Sequence, residues 1–216
     1  MKQVLSGADR SLLDRRIAET EKQTRAQIVL ASVLRSDSYA EIPWKAFAIG
    51  ASLASLILIL LDLFVFGWVT NSLILSSLAA ILATGAIFAL LSVFLPGFGR
   101  LFLSNQRKET ETMQYAESLF LSNELFSTED RRGILLLVSQ FERKVVILPD
   151  KGVRNLLSSE VLKDVISNMR LHLRRNELRQ AMETGLDGIH AALGSPVSGW
   201  TGKNELPDEI IEEEGL

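Results

Sequence analysis

Asp37, Glu142 and Asp150 are the carboxylates whose places along the chain invite chemistry. Asp37 follows an apolar strand over Ala26–Leu34. Glu142 falls in the four-residue loop between two further apolar runs, Gly133–Ser139 and Lys144–Leu148, and Asp150 follows the second of these. Divalent-metal or phosphatase chemistry needs carboxylates converging on an open pocket. If the strands before Asp37 and Glu142 are parallel neighbours, both side chains reach the C-terminal sheet edge, where open α/β sheets bind ligands. Asp150 ends an antiparallel strand and belongs at the opposite edge, so the three form no simple triad. With no third ligand or histidine nearby, solvated loop carboxylates are the preferred reading of Asp37 and Glu142. His172 and His190 lie on separate helices without a partner at ligand spacing, and read as surface or helix-end side chains. There is no cysteine, no glycine-rich phosphate loop, no Ser/His/Asp arrangement and no zinc motif.

The fourth notable carboxylate, Asp62, sits in different surroundings. From Ala46 to Leu95 it is the only ionisable side chain, and an apolar run beyond about 18 residues is long enough to span a bilayer. Two spans are expected, about Ala46–Val69 and Leu73–Leu95, joined by a short turn over Gly67–Ser72. Trp44 and Trp68 bracket the first, as amphipathic indoles do at headgroup depth, and Pro43 and Pro96-Gly97 mark the outer ends. An acid at membrane depth costs about 2.5–3.5 kcal/mol on insertion scales. Asp62 is therefore read as a transmembrane polar residue, protonated or bonded to Asn71 or Ser72 near the hairpin tip, with a self-association contact as the competing role. Gly50, Ala51, Ala54 and Ser55, with Ala79, Ala83 and Ala86, are small residues at helical spacing that let the two helices approach.

Lys45, Arg100, Arg107 and Lys108 flank the hairpin on the side of the charged segments, and its tip carries neither Lys nor Arg. The positive-inside rule then places both soluble segments, and so both termini, in the cytoplasm. A mean hydropathy of +0.20 beside 23% charged residues fits a polar domain plus an apolar anchor. A net charge of −3 and a pI near 5.5 supply no basic field for nucleic acid, which is excluded as a partner.

The polar flanks read as one domain. A helix over Asp9–Thr24 turns Leu12, Leu13 and Ile17 inward. The Ala26–Leu34 strand, apolar on both faces, needs neighbours from beyond the hairpin. These are the Gly133–Ser139 and Lys144–Leu148 strands, preceded by a helix over about Gln106–Leu125. After them come a helix capped by Ser158 or Ser159 and a last helix from near Asn176, stopped by Gly194 and Pro196. The fold class is α/β: a small mixed sheet flanked by helices, interrupted by a transmembrane helical hairpin. The expected divisions are 1–43 and 99–194 for the domain, 44–98 for the hairpin and 195–216 for a flexible acidic tail. Within that tail Leu206, Ile210 and Ile211 stand among glutamates and aspartate, at a spacing that suits a short helix laid into a groove.

Three blocks resemble the TPM domain family, named for a thylakoid-lumen phosphatase, a photosystem II repair protein and a modulator of acetylcholine receptors. Glu21-Lys22-Gln23-Thr24-Arg25-Ala26-Gln27-Ile28-Val29 is similar to the family's E..TGAQIVV entry into the first strand. Arg132 to Ile147 is similar to its GVLLLVS..DRKVRI hairpin, and Leu186–Leu193 to its closing helix. The likeness is greatest to a bacterial membrane branch with a two-span hairpin after the first strand and an Asn-Glu-Leu-Pro-Asp segment, here Asn204–Asp208. The resemblance implies a TPM-like fold, a place in a bacterial inner membrane and, from some members, a divalent cation such as Ca2+ or Mg2+ and phosphatase activity, for which Asp37, Glu142 and Asp150 are the candidates. The family's Gly-Tyr-Gly-Leu-Glu stretch after the hairpin is replaced by Leu148-Pro149-Asp150-Lys151-Gly152-Val153, without its Tyr or Glu. The expected function is a non-catalytic, membrane-tethered scaffold or assembly factor that binds the bilayer and a protein partner or a second copy. The alternative is a membrane-bound, metal-dependent phosphatase. Arg131-Arg132 and Arg170, Arg174, Arg175 and Arg179 form basic clusters that suit solvated helix faces or anionic lipid.

Overall fold

In the computed structural model, residues 5–66, 71–128, 130–194 and 210–215 are described. Helix α1 (Gly7–Thr24) begins with a capping box, in which the Ser6 hydroxyl accepts from the Asp9 N–H and Asp9 returns a bond to the Ser6 N–H. It buries Leu13 and Ile17, whereas Leu12, expected inward, is 39% exposed. The chain then enters β1 (Gln27–Arg35). Further along come β2 (Gly133–Ser139), β3 (Lys144–Pro149) and, near the C-terminal end, β4 (Ile211–Gly215), and the sheet order is β3-β2-β1-β4. β1 and β2 are parallel in the register Gln27↔Gly133 to Val33↔Ser139, and β2 and β3 form an antiparallel hairpin.

Side chains of β1 and β2 alternate between two cores because successive strand residues point to opposite faces. Ile28, Leu30, Ile134 and Leu136 meet α1, α6 (Ser159–Arg174) and α7 (Leu178–Leu193) on one face. Val29, Ala31, Leu135 and Leu137 meet Ala116, Leu119 and Phe120 of α5 (Asn105–Ser122) on the other. The two-sided burial that the apolar run in β1 implies is therefore present. Ser158 caps α6 through the Val161 N–H, 3.4 Å away.

The tail contains a strand. β4 (Ile211–Gly215) pairs parallel with β1, Ala31 opposite Ile211 and Val33 opposite Glu213, where the apolar spacing predicts a docked helix. Ile210 packs on the first core and Ile211 on the second, an alternation that only extended backbone provides. Leu206 and the Asn204–Asp208 segment lie outside the described residues.

The chain divides into two compact units, Met1–Asp37 with Glu109–Leu216, and Ser38–Lys108. In the second, α2 (Glu41–Leu61) starts earlier than the first expected span and takes Pro43 into its first turn, where a missing N–H costs no helical bond. It continues as a π-helical turn over Asp62–Phe66. α3 (Asn71–Phe94) returns, followed by the single turn α4 (Pro96–Gly99). Two helices, Glu41–Phe64 and Ile74–Phe94, are long and apolar enough to cross a membrane, and only 11% and 6% of their most apolar stretches are buried within the chain. They meet through reciprocal contacts: a Cβ on Gly50 would stand 2.8 Å from Phe88, and one on Gly85 2.8 Å from Phe47. Ala54 is buried as the small-residue pattern predicts; Ala79, Ala83 and Ala86 are exposed, and Gly85 carries the contact on α3 instead.

The join between α1 and β1 yields a prediction. Arg25 closes α1 with φ 61°, a left-handed conformation that disfavours a side chain. Relief of that backbone conformation is worth about 1 kcal/mol. Arg25→Gly is expected to raise the thermal midpoint by several degrees; an unchanged or lower midpoint in calorimetry would refute this account.

Candidate functional site

The parallel pairing of β1 and β2 brings Asp37 and Glu142 to one edge of the sheet, as the strand reading requires. The loop between β2 and β3 extends the ladder. The Gln140 N–H donates to the Val33 carbonyl at 3.0 Å and the Phe141 N–H to the Leu34 carbonyl at 2.9 Å. Arg143 then adopts φ 54° and turns the chain back into β3.

Glu142 is not a solvated loop residue. It is 3% exposed, and its carboxylate performs the next step of the ladder: Oε1 accepts the Ser36 N–H at 2.9 Å, while Oε2 accepts the Ser139 hydroxyl. The Ser36 hydroxyl donates to Ser139 Oγ at 3.0 Å, and the Gln140 amide to Ser32 Oγ at 3.1 Å. The Arg35 guanidinium lies 4.4 Å from the centre of the Phe141 ring. A buried carboxylate is costly unless its oxygens are satisfied. Here they are, and the result is a polar clamp that fixes Ser36 one residue before Asp37, where the first unit gives way to Ser38. Asp37 is itself half-buried.

At the opposite edge, as expected, stands Asp150, 4% exposed. Arg131 binds it through Nε and Nη2 at 2.7 and 3.1 Å, and the Lys151 N–H donates to Oδ1 at 2.7 Å. Next to it Gly152 passes so close to the Asp130 carbonyl that a Cβ would stand 2.2 Å from that oxygen. Arg132 donates to the carbonyls of Thr24 and Arg25 at 2.8 and 3.1 Å, so both arginines of the Arg131-Arg132 pair are engaged by groups of the domain itself.

Glu21, at the entry to β1, has a comparable task. Glu21 is 5% exposed, and its Oε1 accepts the Ile28 N–H at 2.7 Å. Sequence reasoning singled Glu21 out only as part of a motif; the signal was a glutamate in the last turn of a helix directly before a buried strand.

A divalent cation does not fit these residues as they stand. Glu142 and Asp150 lie at opposite edges with oxygens already accepting hydrogen bonds, and among the described residues no three of His, Cys, Asp and Glu gather to hold a metal ion. His172 is not isolated, since its Nδ1 lies 2.9 Å from Glu177 Oε2. Asp62 is exposed at the start of the π-helical turn; the side chains of Asn71 and Ser72 lie outside the described residues.

An α/β layer with a mixed sheet, carboxylate-clamped strand ends and two apolar helices after its first strand defines the class. A family model described as the TPM domain matches residues 101–192. Residues 101–192 are thus similar to a TPM domain. The NMR structure of the BA42 protein from the psychrophilic bacterium Bizionia argentinensis is similar in fold, with a TM-score of 0.58 at 13% identity over 98% of this chain and 97% of that one. No curated protein sequence matches the chain.

Proposed function

We propose that this protein is a membrane-anchored TPM domain that acts as a non-catalytic scaffold, holding a protein partner at the cytoplasmic face of a bacterial inner membrane. The observation that carries this reading is the use made of Glu142. The best-placed carboxylate of the candidate site is committed to pinning Ser36, the point from which the chain runs into its apolar helices. A joint fixed in this way suits a domain that must be presented by its anchor. The anchor itself is supported by α2 and α3, whose apolar side chains are largely exposed. Cytoplasmic placement rests on the basic residues flanking the hairpin and on its uncharged tip.

Two measurements test the proposal. A reporter active only in the cytoplasm, fused after Leu216, is expected to be active, and one inserted at Asn71 to behave as external; the opposite pattern overturns the placement. The family model's name includes the word phosphatase, so the full chain in detergent is to be assayed on a generic phosphate ester with Mg2+ and with Ca2+. Hydrolysis that Glu142→Gln abolishes while the fold persists would replace the scaffold reading with the metal-dependent phosphatase.

A further inference from the structure

The basic residues divide into those consumed by the fold and those that are not. Arg131 and Arg132 are consumed, and Arg179 is held by Asp9 and Glu183 at 3.0 and 2.8 Å. Arg170, Arg174 and Arg175, in the last turns and cap of α6, are exposed, as is Arg143 in the β2–β3 turn. Among the described residues none of these four has a carboxylate within ion-pair distance. Leu171 stands among them with 59% of its surface exposed. The dipole of α6 accounts for cations in its last turn, but not for an exposed leucine between them or for the arginine of a neighbouring turn.

The position of this patch follows from Glu109. Lys144, at the start of β3, reaches Glu109 at 2.6 Å. That hydrogen bond and the Lys144 charge, with a further contribution from Arg170, hold the Glu109 carboxyl below its usual range. Glu109 is where the chain re-enters the domain from the apolar helices, and Ser36-Asp37, pinned by Glu142, is where it leaves. Arg143 and Lys144 therefore stand at the sheet edge to which both ends of the apolar segment are tied, and α6, which follows the loop after β3 at the opposite edge and packs on the same sheet, runs back toward it.

We propose that this edge, Arg143, Arg170, Arg174 and Arg175 around Leu171, is a docking surface for the anionic phospholipid headgroups of the membrane that holds the hairpin. The inference rests on the membrane-anchored reading above. Guanidinium groups match phosphate oxygens in pairs and are weakly hydrated. A leucine among them can enter the interfacial zone, the combination used by membrane-surface helices.

The chain contains no cysteine, so Ser167→Cys, exposed one turn before Leu171, takes a single fluorophore. The labelled full chain is to be reconstituted into nanodiscs carrying headgroup-linked nitroxide quencher, in phosphatidylcholine alone or with added phosphatidylglycerol. Quenching is expected to be at least about twofold stronger in the anionic discs, and to fall to the neutral level at high salt or in R170Q/R174Q/R175Q. Equal quenching in the two lipids, or a triple variant indistinguishable from the parent, overturns the docking surface. Retention in membranes through an alkaline wash separates the two readings. A chain that washes off overturns the anchor and the surface together, whereas one that stays but shows no lipid-dependent quenching overturns the surface alone.

Discussion

Glu142→Ala is expected to destabilise the domain by about 3 kcal/mol, because two hydrogen bonds to a charged acceptor disappear, each worth about 1.5–3 kcal/mol in such settings, and the buried Ser36 N–H is left without its carboxylate partner. Glu142→Gln is a much milder change. Its carbonyl can still accept from Ser36, and its amide can donate to Ser139 Oγ once that hydroxyl rotates, so a loss of about 1 kcal/mol is expected. Denaturant unfolding of both variants checks the order Ala far below Gln, Gln slightly below parent. An alanine variant as stable as the parent would show that the clamp does not hold the strand ends. The pair also separates structure from chemistry, because the glutamine variant retains the fold while lacking a carboxylate for catalysis or metal binding.

The placement of Glu142 shows where sequence reasoning stops. Its residue type and its loop between two apolar runs predict solvation, and its position at the C-terminal edge of two parallel strands follows correctly from topology. What buries it is Ser36, 106 positions away in sequence, brought near only because β1 and β2 pair in one register. The need for that pairing was legible: an apolar run on both faces of β1 demands neighbours, and the hairpin between it and β2 had to be an insertion. The helix-helix contact was legible in part. Small residues at helical spacing point to close approach, but which face of α3 turns inward depends on Phe47 finding Gly85. The basic clusters separate in the same way, since only the distances distinguish Arg131, paired to Asp150, from Arg174.

The tail was the least legible element, because consecutive glutamates have poor strand propensity and read as solvated. Glu212 and Glu213 each have a partner set by tertiary structure. Glu212 faces α1, where Arg10 binds it and the Leu5 N–H donates to it at 3.2 Å; Glu213 faces α5, where the Tyr115 hydroxyl donates to it. β4 also covers the edge of β1 from Ala31 to Arg35, and the Glu21 carboxylate takes the Ile28 N–H ahead of it. An uncovered strand edge is a template for pairing with other chains. Deleting Lys203–Leu216 removes the ladder, the two partly buried isoleucines and both acidic contacts. After allowance for the entropy of ordering the strand, a loss of about 2 kcal/mol is expected, together with a greater tendency to self-associate. Tyr115 supplies a local reading of the same event. Burial first, and then its bond to Glu213 and that residue's charge, push its phenol well above the ordinary 10.0. The stability tied to the neutral phenol is thus fully present below the ordinary value and is lost as pH rises through the folded one. With only two tyrosines in the chain, alkaline titration by ultraviolet absorbance should show one phenol returning toward its ordinary range after the deletion, and a smaller return in Glu213→Gln. If the deletion changes neither the unfolding midpoint nor the tyrosine titration, the tail does not form the fourth strand in solution.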